Sequence, residues 1–163
     1  MSLAEKIAGR ELEPHHVFLA SFLAGLNEMG ILNQASVNVA ARRAGRYLAE
    51  YARVRGGLPE PGSTAVESAG RLARYLGDLL GLATEFEAGT EDGVAYCSVL
   101  SGGCRFCPKG VGEAELEGTI CPYPGLIEEF VNQLLPGDQR IALRMQDRRP
   151  LAKVEGHCLM QFV

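Results

Sequence analysis

Five cysteines occur in this chain, and four of them fall where a metal ion could be held. Cys104 and Cys107 are separated by two residues in the run CRFCPKGVG (104–112). A turn of that length lets both sulfurs face one point, and Gly110 and Gly112 permit the tight backbone it needs. Cys121 follows, immediately before Pro122 and a helical segment whose N-terminal dipole would favour a thiolate. The fourth donor is Cys158, in the closing segment GHCLMQFV (156–163), with its neighbour His157 as the alternative. Such a set suits zinc held by four protein ligands, and an iron–sulfur cluster would accept the same thiolates. The plain alternative for any cysteine is a small buried apolar residue, and Cys97, inside the apolar run VAYCSVL (94–100), is read that way. Thioredoxin-like exchange would need the cysteine pair in a strand–helix–strand setting, which the pattern lacks.

Other chemistry-bearing residues are weaker candidates. His15 and His16 stand at a helix start, where solvation or capping accounts for them. His157 and Cys158 are adjacent, so on a strand they point to opposite faces and cannot act as a catalytic pair. Glu113, Glu115 and Glu117 would share one side of a strand as a solvated face. Arg42, Arg43, Arg46, Arg53 and Arg55 cluster on one segment, either as a solvated face or as a surface for an anion or partner.

The elements that position these residues can be read from periodicity. Residues 1–13 are polar and are read as mobile or weakly helical. A helix follows Pro14, with Phe18, Phe22 and Leu26 at four-residue spacing, and stops at Gly30. A second runs from about Ala35 to Val54, its apolar face being Val37, Ala41, Ala44, Leu48 and Tyr51. Thr64 and Glu67 form the capping box of a third, with a buried stripe of Val66, Ala69, Ala73, Leu76 and Leu80, closed by Gly81. The period then changes. ATEFEAG (83–89) and VAYCSVL (94–100) read as a hairpin around EDG (91–93), a fourth helix spans Pro124 to about Leu135, and RIALRMQ (140–146) and CLMQFV (158–163) read as a last strand pair. The order α-α-α-β-β-α-β-β, with neither linker nor repeat, predicts one α+β domain over 1–163: a helical layer on an antiparallel sheet.

Composition narrows the function class. The 163 residues carry a net charge of −4, with 47% hydrophobic and 22% charged residues, which is ordinary for a folded domain and argues against a dedicated nucleic-acid binder. No segment has the length of a membrane span, and the first residues do not read as a signal peptide, so a cytoplasmic location with reduced thiols is expected.

The stretch CRFCPKGVGEAELEGTICPYPGLIEEF (104–130), together with GHCLMQFV (156–163), resembles the 4-vinyl-reductase, or hydrocarbon-binding, domain family. The likeness covers mainly residues 83–163; the helical half matches in order and length. That family is similar in fold to Golgi transport-complex subunits and to NO-signalling ligand-binding domains, and its members are commonly dimeric. The resemblance implies a metal site near the C-terminal sheet, with Cys121 and Cys158 at the positions of two of its cysteines. Sensor members place a glutamate and a cysteine between these, where this chain has Asp147 and Pro150, so Cys104 and Cys107 stand in for them. It also implies a pocket for a small apolar or aromatic molecule between helices and sheet, which Phe18, Phe22, Tyr47 and Tyr51 could line, core packing being the alternative. The expected function is non-catalytic binding or sensing; the alternative is an enzyme or accessory factor in reduction of a vinyl or tetrapyrrole-type substrate.

Overall fold

A computed structural model describes residues 2–116 and 120–163. Among these described residues, five α-helices precede or interrupt a four-stranded antiparallel sheet: α1 (Leu3–Gly9), α2 (Pro14–Glu28), α3 (Gln34–Arg55), α4 (Ala65–Leu80), β1 (Phe86–Glu91), β2 (Val94–Leu100), α5 (Tyr123–Leu134), β3 (Ala152–Val154) and β4 (His157–Phe162). The strand order is β1-β2-β4-β3, so the fold is the expected α+β class. No helix among the described residues is long and apolar enough to cross a membrane.

The expected hairpin forms around Asp92 and Gly93, both at positive φ, which is the backbone a two-residue turn requires. Alternation then decides which side chains meet the helices. Ala95, Cys97 and Val99 of β2 are buried, and their partners in β4 are Phe162, Met160 and Cys158. This register places Cys158 on the helical face of the sheet and His157 on the other. α4 lies across β1 and β2, α5 packs beside it, and α3 covers α5. Phe130, Leu76, Ile127, Met160 and Phe162 form the fully buried centre.

Four details depart from the sequence reading. First, of the two readings for the N-terminal segment, mobile or weakly helical, a helix is what forms: Ser2 and Glu5 close a capping box on α1, giving one helix more than the expected four. Second, the capping box of α4 is displaced by one residue. The Thr64 hydroxyl accepts from the Glu67 N–H, but the Glu67 carboxylate accepts from the N–H and hydroxyl of Ser63. Third, the buried stripe of α3 is Val37, Ala41, Gly45, Ala49 and Ala52, with Tyr51 exposed. Small residues let α3 approach α5 closely; a Cβ on Gly45 would lie 2.6 Å from the Leu126 carbonyl oxygen.

Fourth, RIALRMQ is not a full strand. Asn132 of α5 holds Ile141 through both its N–H and its carbonyl, which draws the start of the segment to the helix. Only residues 142–144 reach the free edge of β4, through Ala142–Val163 and Arg144–Gln161 hydrogen bonds. The chain then reverses at Asp147 and Arg148, both at positive φ, and β3 takes the other half of that edge.

Candidate metal centre and the apolar pocket beside it

All four predicted cysteines line one small cavity of about 180 Å³. Three elements bring them there. The loop after β2 supplies Cys104 and Cys107, the approach to α5 supplies Cys121, and β4 supplies Cys158. His157 lies outside it; its ring is 3.4 Å from the Glu85 carboxylate, on the far face of the sheet. Cys97 is fully buried in β2 and is not part of the cavity lining.

The surroundings favour thiolates at one position above the others. The Cys104 thiol bonds to Cys107, and this lowers Cys107 to about 6 against the opposing effect of burial, with the N–H groups of Gly110 (3.3 Å) and Lys109 adding to the lowering. The same bond, with burial, pushes Cys104 well up. Burial pushes Cys121 to about 12; the Tyr123 N–H at the start of α5 pulls the other way and is outweighed. The expected dipole effect at Cys121 is therefore present but loses to desolvation. In metal-free protein at pH 7, iodoacetamide is expected to modify Cys107 first and to leave Cys97 and Cys121 unmodified until unfolding; peptide mass mapping reads the order. Uniform modification would contradict this environment.

The donor set and its surroundings fit a metal ion. Among the described residues, four sulfurs and no competing carboxylate or imidazole line the cavity, the softness that zinc or an iron–sulfur cluster takes. Four thiolates on a divalent ion would leave net negative charge, and cations surround the cavity. Lys109 and Lys153 line it. Arg10 is buried, donates to the Cys104 carbonyl at 2.6 Å, and has no carboxylate within salt-bridge distance among the described residues; its Nε lacks any partner there. A buried guanidinium without a counter-charge is costly, and an anionic metal–thiolate centre supplies one. Any three of these sulfurs lie less tightly grouped than 4.8 Å, so gathering them on one ion contracts the cavity.

Arg10 is the site residue that the sequence reading missed, because the segment carrying it looked mobile. Its anchoring is mutual. Arg105, between the two loop cysteines, donates to the Arg10 carbonyl at 2.7 Å and pairs with Glu11 at 2.9 Å, while Lys6 pairs with Glu113 at 2.7 Å. Glu117 lies outside the described residues. Gly112 has its own reason: a Cβ there would be 2.3 Å from the Ala20 carbonyl oxygen, so the loop lies directly on α2.

Glu13, His15 and His16 do bring three donor atoms within 4.8 Å of one another. They are not a second centre. Buried His16 accepts from the Glu13 N–H at Nδ1 (2.9 Å) and meets the Leu80 carbonyl at Nε2 (3.1 Å), so both ring nitrogens are spent. Burial lowers its pKa and keeps it neutral. The capping role expected at this helix start belongs to His16. The arginines of α3 are also largely occupied: Arg42 pairs with Glu128, Arg46 with Glu129 and Arg53 with Glu50, the first two tying α3 to α5.

A second, larger cavity of about 600 Å³ opens between α2 and α3. Its walls are Leu19, Phe22, Leu23 and Leu26 from α2, Val37, Ala40, Ala44 and Leu48 from α3, and Leu80 and Leu82. Phe18 and Phe22 stack at 6.0 Å at its mouth and are exposed, so they line the pocket and are not core. Tyr47 and Tyr51 do not line it. They lie on the outer side of α3, with Arg43 over the Tyr47 ring and Arg55 bonded to the Tyr51 hydroxyl.

Residues 30–163 match the MJ0207 family. The chain belongs to the MJ0207 family. The matched region holds all four cavity cysteines, the whole sheet and α3–α5, and it begins after α2. The chain is also similar to the uncharacterized protein MJ1342 of Methanocaldococcus jannaschii, 34% identical over 55 residues, which is 34% of this chain and 47% of that protein. The match therefore spans about half the length of that relative. No solved structure matches the chain.

Proposed function

We propose that this chain is a non-catalytic domain that binds a small apolar or aromatic molecule between α2 and α3 and holds a structural zinc ion with Cys104, Cys107, Cys121 and Cys158. The observation that carries the reading is the apolar pocket of about 600 Å³ set against the four-cysteine cavity. The resemblance to 4-vinyl-reductase domains implies the same pairing of features. Four sulfur donors leave a zinc ion no open position, so its work is to fold the loop. Of the pocket's lining residues, Tyr123 has its hydroxyl held protonated by burial while it donates to the Leu82 carbonyl at 2.9 Å, and most of the others are aliphatic or phenylalanine side chains. Such a lining offers apolar area and little acid–base chemistry. The reading further takes the domain as cytoplasmic and homodimeric, the dimer following from the resemblance; sedimentation velocity tests it.

Binding by apolar burial has a quantitative signature. Each buried methylene contributes about 0.8 kcal/mol, so Kd should fall roughly fourfold per added carbon along a 4-alkylphenol series until the pocket is full. Ala44→Phe, which projects a ring into the pocket, should abolish this binding while leaving the melting temperature near wild type. Calorimetric titration of the series against both proteins is the test. A Kd that does not change with chain length, or no binding by any member, would sink the reading.

A further inference from the structure

We propose that the cysteine centre and the apolar pocket are energetically coupled through one shared wall, so that filling either site tightens the other; this rests on the binding reading above. Phe106, Pro122 and Tyr123 line both cavities. Their places in the chain are decisive. Phe106 stands between Cys104 and Cys107, and Pro122 and Tyr123 follow Cys121 directly. Covalent geometry therefore ties every residue of the wall to a proposed metal ligand.

The wall is stiff. The Phe106 and Tyr123 rings are buried and meet edge to face at 6.0 Å. On the α2 side the His16 ring meets Phe106 at 4.7 Å. The Tyr123 hydroxyl bonds the Leu82 carbonyl and lies 3.7 Å from the Cys104 sulfur, and Leu82 itself lines the pocket. Drawing the four sulfurs onto an ion fixes the Cys104–Cys107 loop and the start of α5, and with them the inner surface that an apolar ligand would touch. Close-packed side chains transmit such a shift and do not absorb it. Linkage then requires the reverse effect: a ligand that prefers the ordered wall must raise metal affinity by the same factor.

The test uses zinc-loaded full-length protein and the neutral fluorophore N-phenyl-1-naphthylamine. Zinc transfer to graded 4-(2-pyridylazo)resorcinol is brought to equilibrium with and without the fluorophore at saturation, its binding being read by fluorescence in the same sample. The apparent zinc affinity should rise by about fivefold or more with the fluorophore bound, the lower range of ordinary coupling. In Phe106→Leu, which keeps all four cysteines but alters the lining of both sites, each affinity should weaken, and with the fluorophore raised to saturate the variant the rise should largely disappear. An unchanged zinc affinity with bound fluorophore overturns the coupling and leaves the binding reading intact, as does the full rise in Phe106→Leu. Failure of the fluorophore to bind, or absence of zinc from the protein, overturns both.

Discussion

Gly45→Val will lower the stability of this protein by about 3 kcal/mol or more, the range of severe overpacking. The cause is specific. α3 packs tightly on α5, and a Cβ at position 45 would sit 2.6 Å from the Leu126 carbonyl oxygen and 3.0 Å from the Phe130 nitrogen. Both are backbone atoms in a helix, so neither can rotate away. The helices must separate, and the separation is felt at the start of α5, where Cys121 and Tyr123 are held. Gly25 is the control. It lies within α2 with nothing within 4 Å of a built Cβ, so Gly25→Ala should stabilise by about 0.5–1 kcal/mol through helix propensity. Urea unfolding reads both. A Gly45→Val midpoint equal to wild type would mean that α3 and α5 do not pack as described.

Removing the proposed zinc ion is the second large effect expected. Structural zinc supplies about 10–16 kcal/mol in small zinc-finger peptides, but this chain has an independent core around Phe130, Leu76 and Met160. Chelation is therefore expected to melt part of the molecule. Amide protection should be lost in the loop 101–116 and in α1, which Arg10, Lys6 and Arg105 tie to that loop. β2, β4 and α4 should keep theirs. The melting temperature should fall by about 10 °C, the consequence of losing a few kcal/mol in a domain of this size. Hydrogen exchange with mass readout checks the pattern, and uniform loss or no loss would contradict it. The pH dependence has a fixed sign. Cys104 and Cys121 lie above their ordinary range and are protonated when metal-free at neutral pH, so metal binding must expel protons. Acid therefore releases the ion, and rising pH tightens it.

How much of this was legible in the sequence follows from the physics of each element. The hairpin was readable because Asp92–Gly93 is turn chemistry flanked by period-two burial. Cys104 and Cys107 were readable because a two-residue spacing is local. Cys121 and Cys158 were nameable only as candidates: their meeting depends on the β2–β4 register, a long-range fact. The failures share a cause. The N-terminal segment read as mobile or only weakly helical because its partners, Cys104 and Glu113, are about a hundred residues away. RIALRMQ looked like a strand because alternation cannot reveal that Asn132 would hold its first part. The face of α3 was misplaced because apolar bulk was counted, whereas its packing against α5 depends on small residues. Tyr47 and Tyr51 were candidates for pocket or core by type alone, and they belong to neither: both are exposed beside arginine neighbours on α3.

The central claim is that four sulfurs from three elements hold one ion. Elemental analysis by inductively coupled plasma mass spectrometry should be run on wild type beside Cys104→Ser, Cys107→Ser, Cys121→Ser, Cys158→Ser and His157→Ala. The account predicts one zinc per chain in wild type and in His157→Ala, and its loss in each cysteine variant. Wild type without stoichiometric metal, or metal kept by Cys158→Ser and lost by His157→Ala, would contradict it.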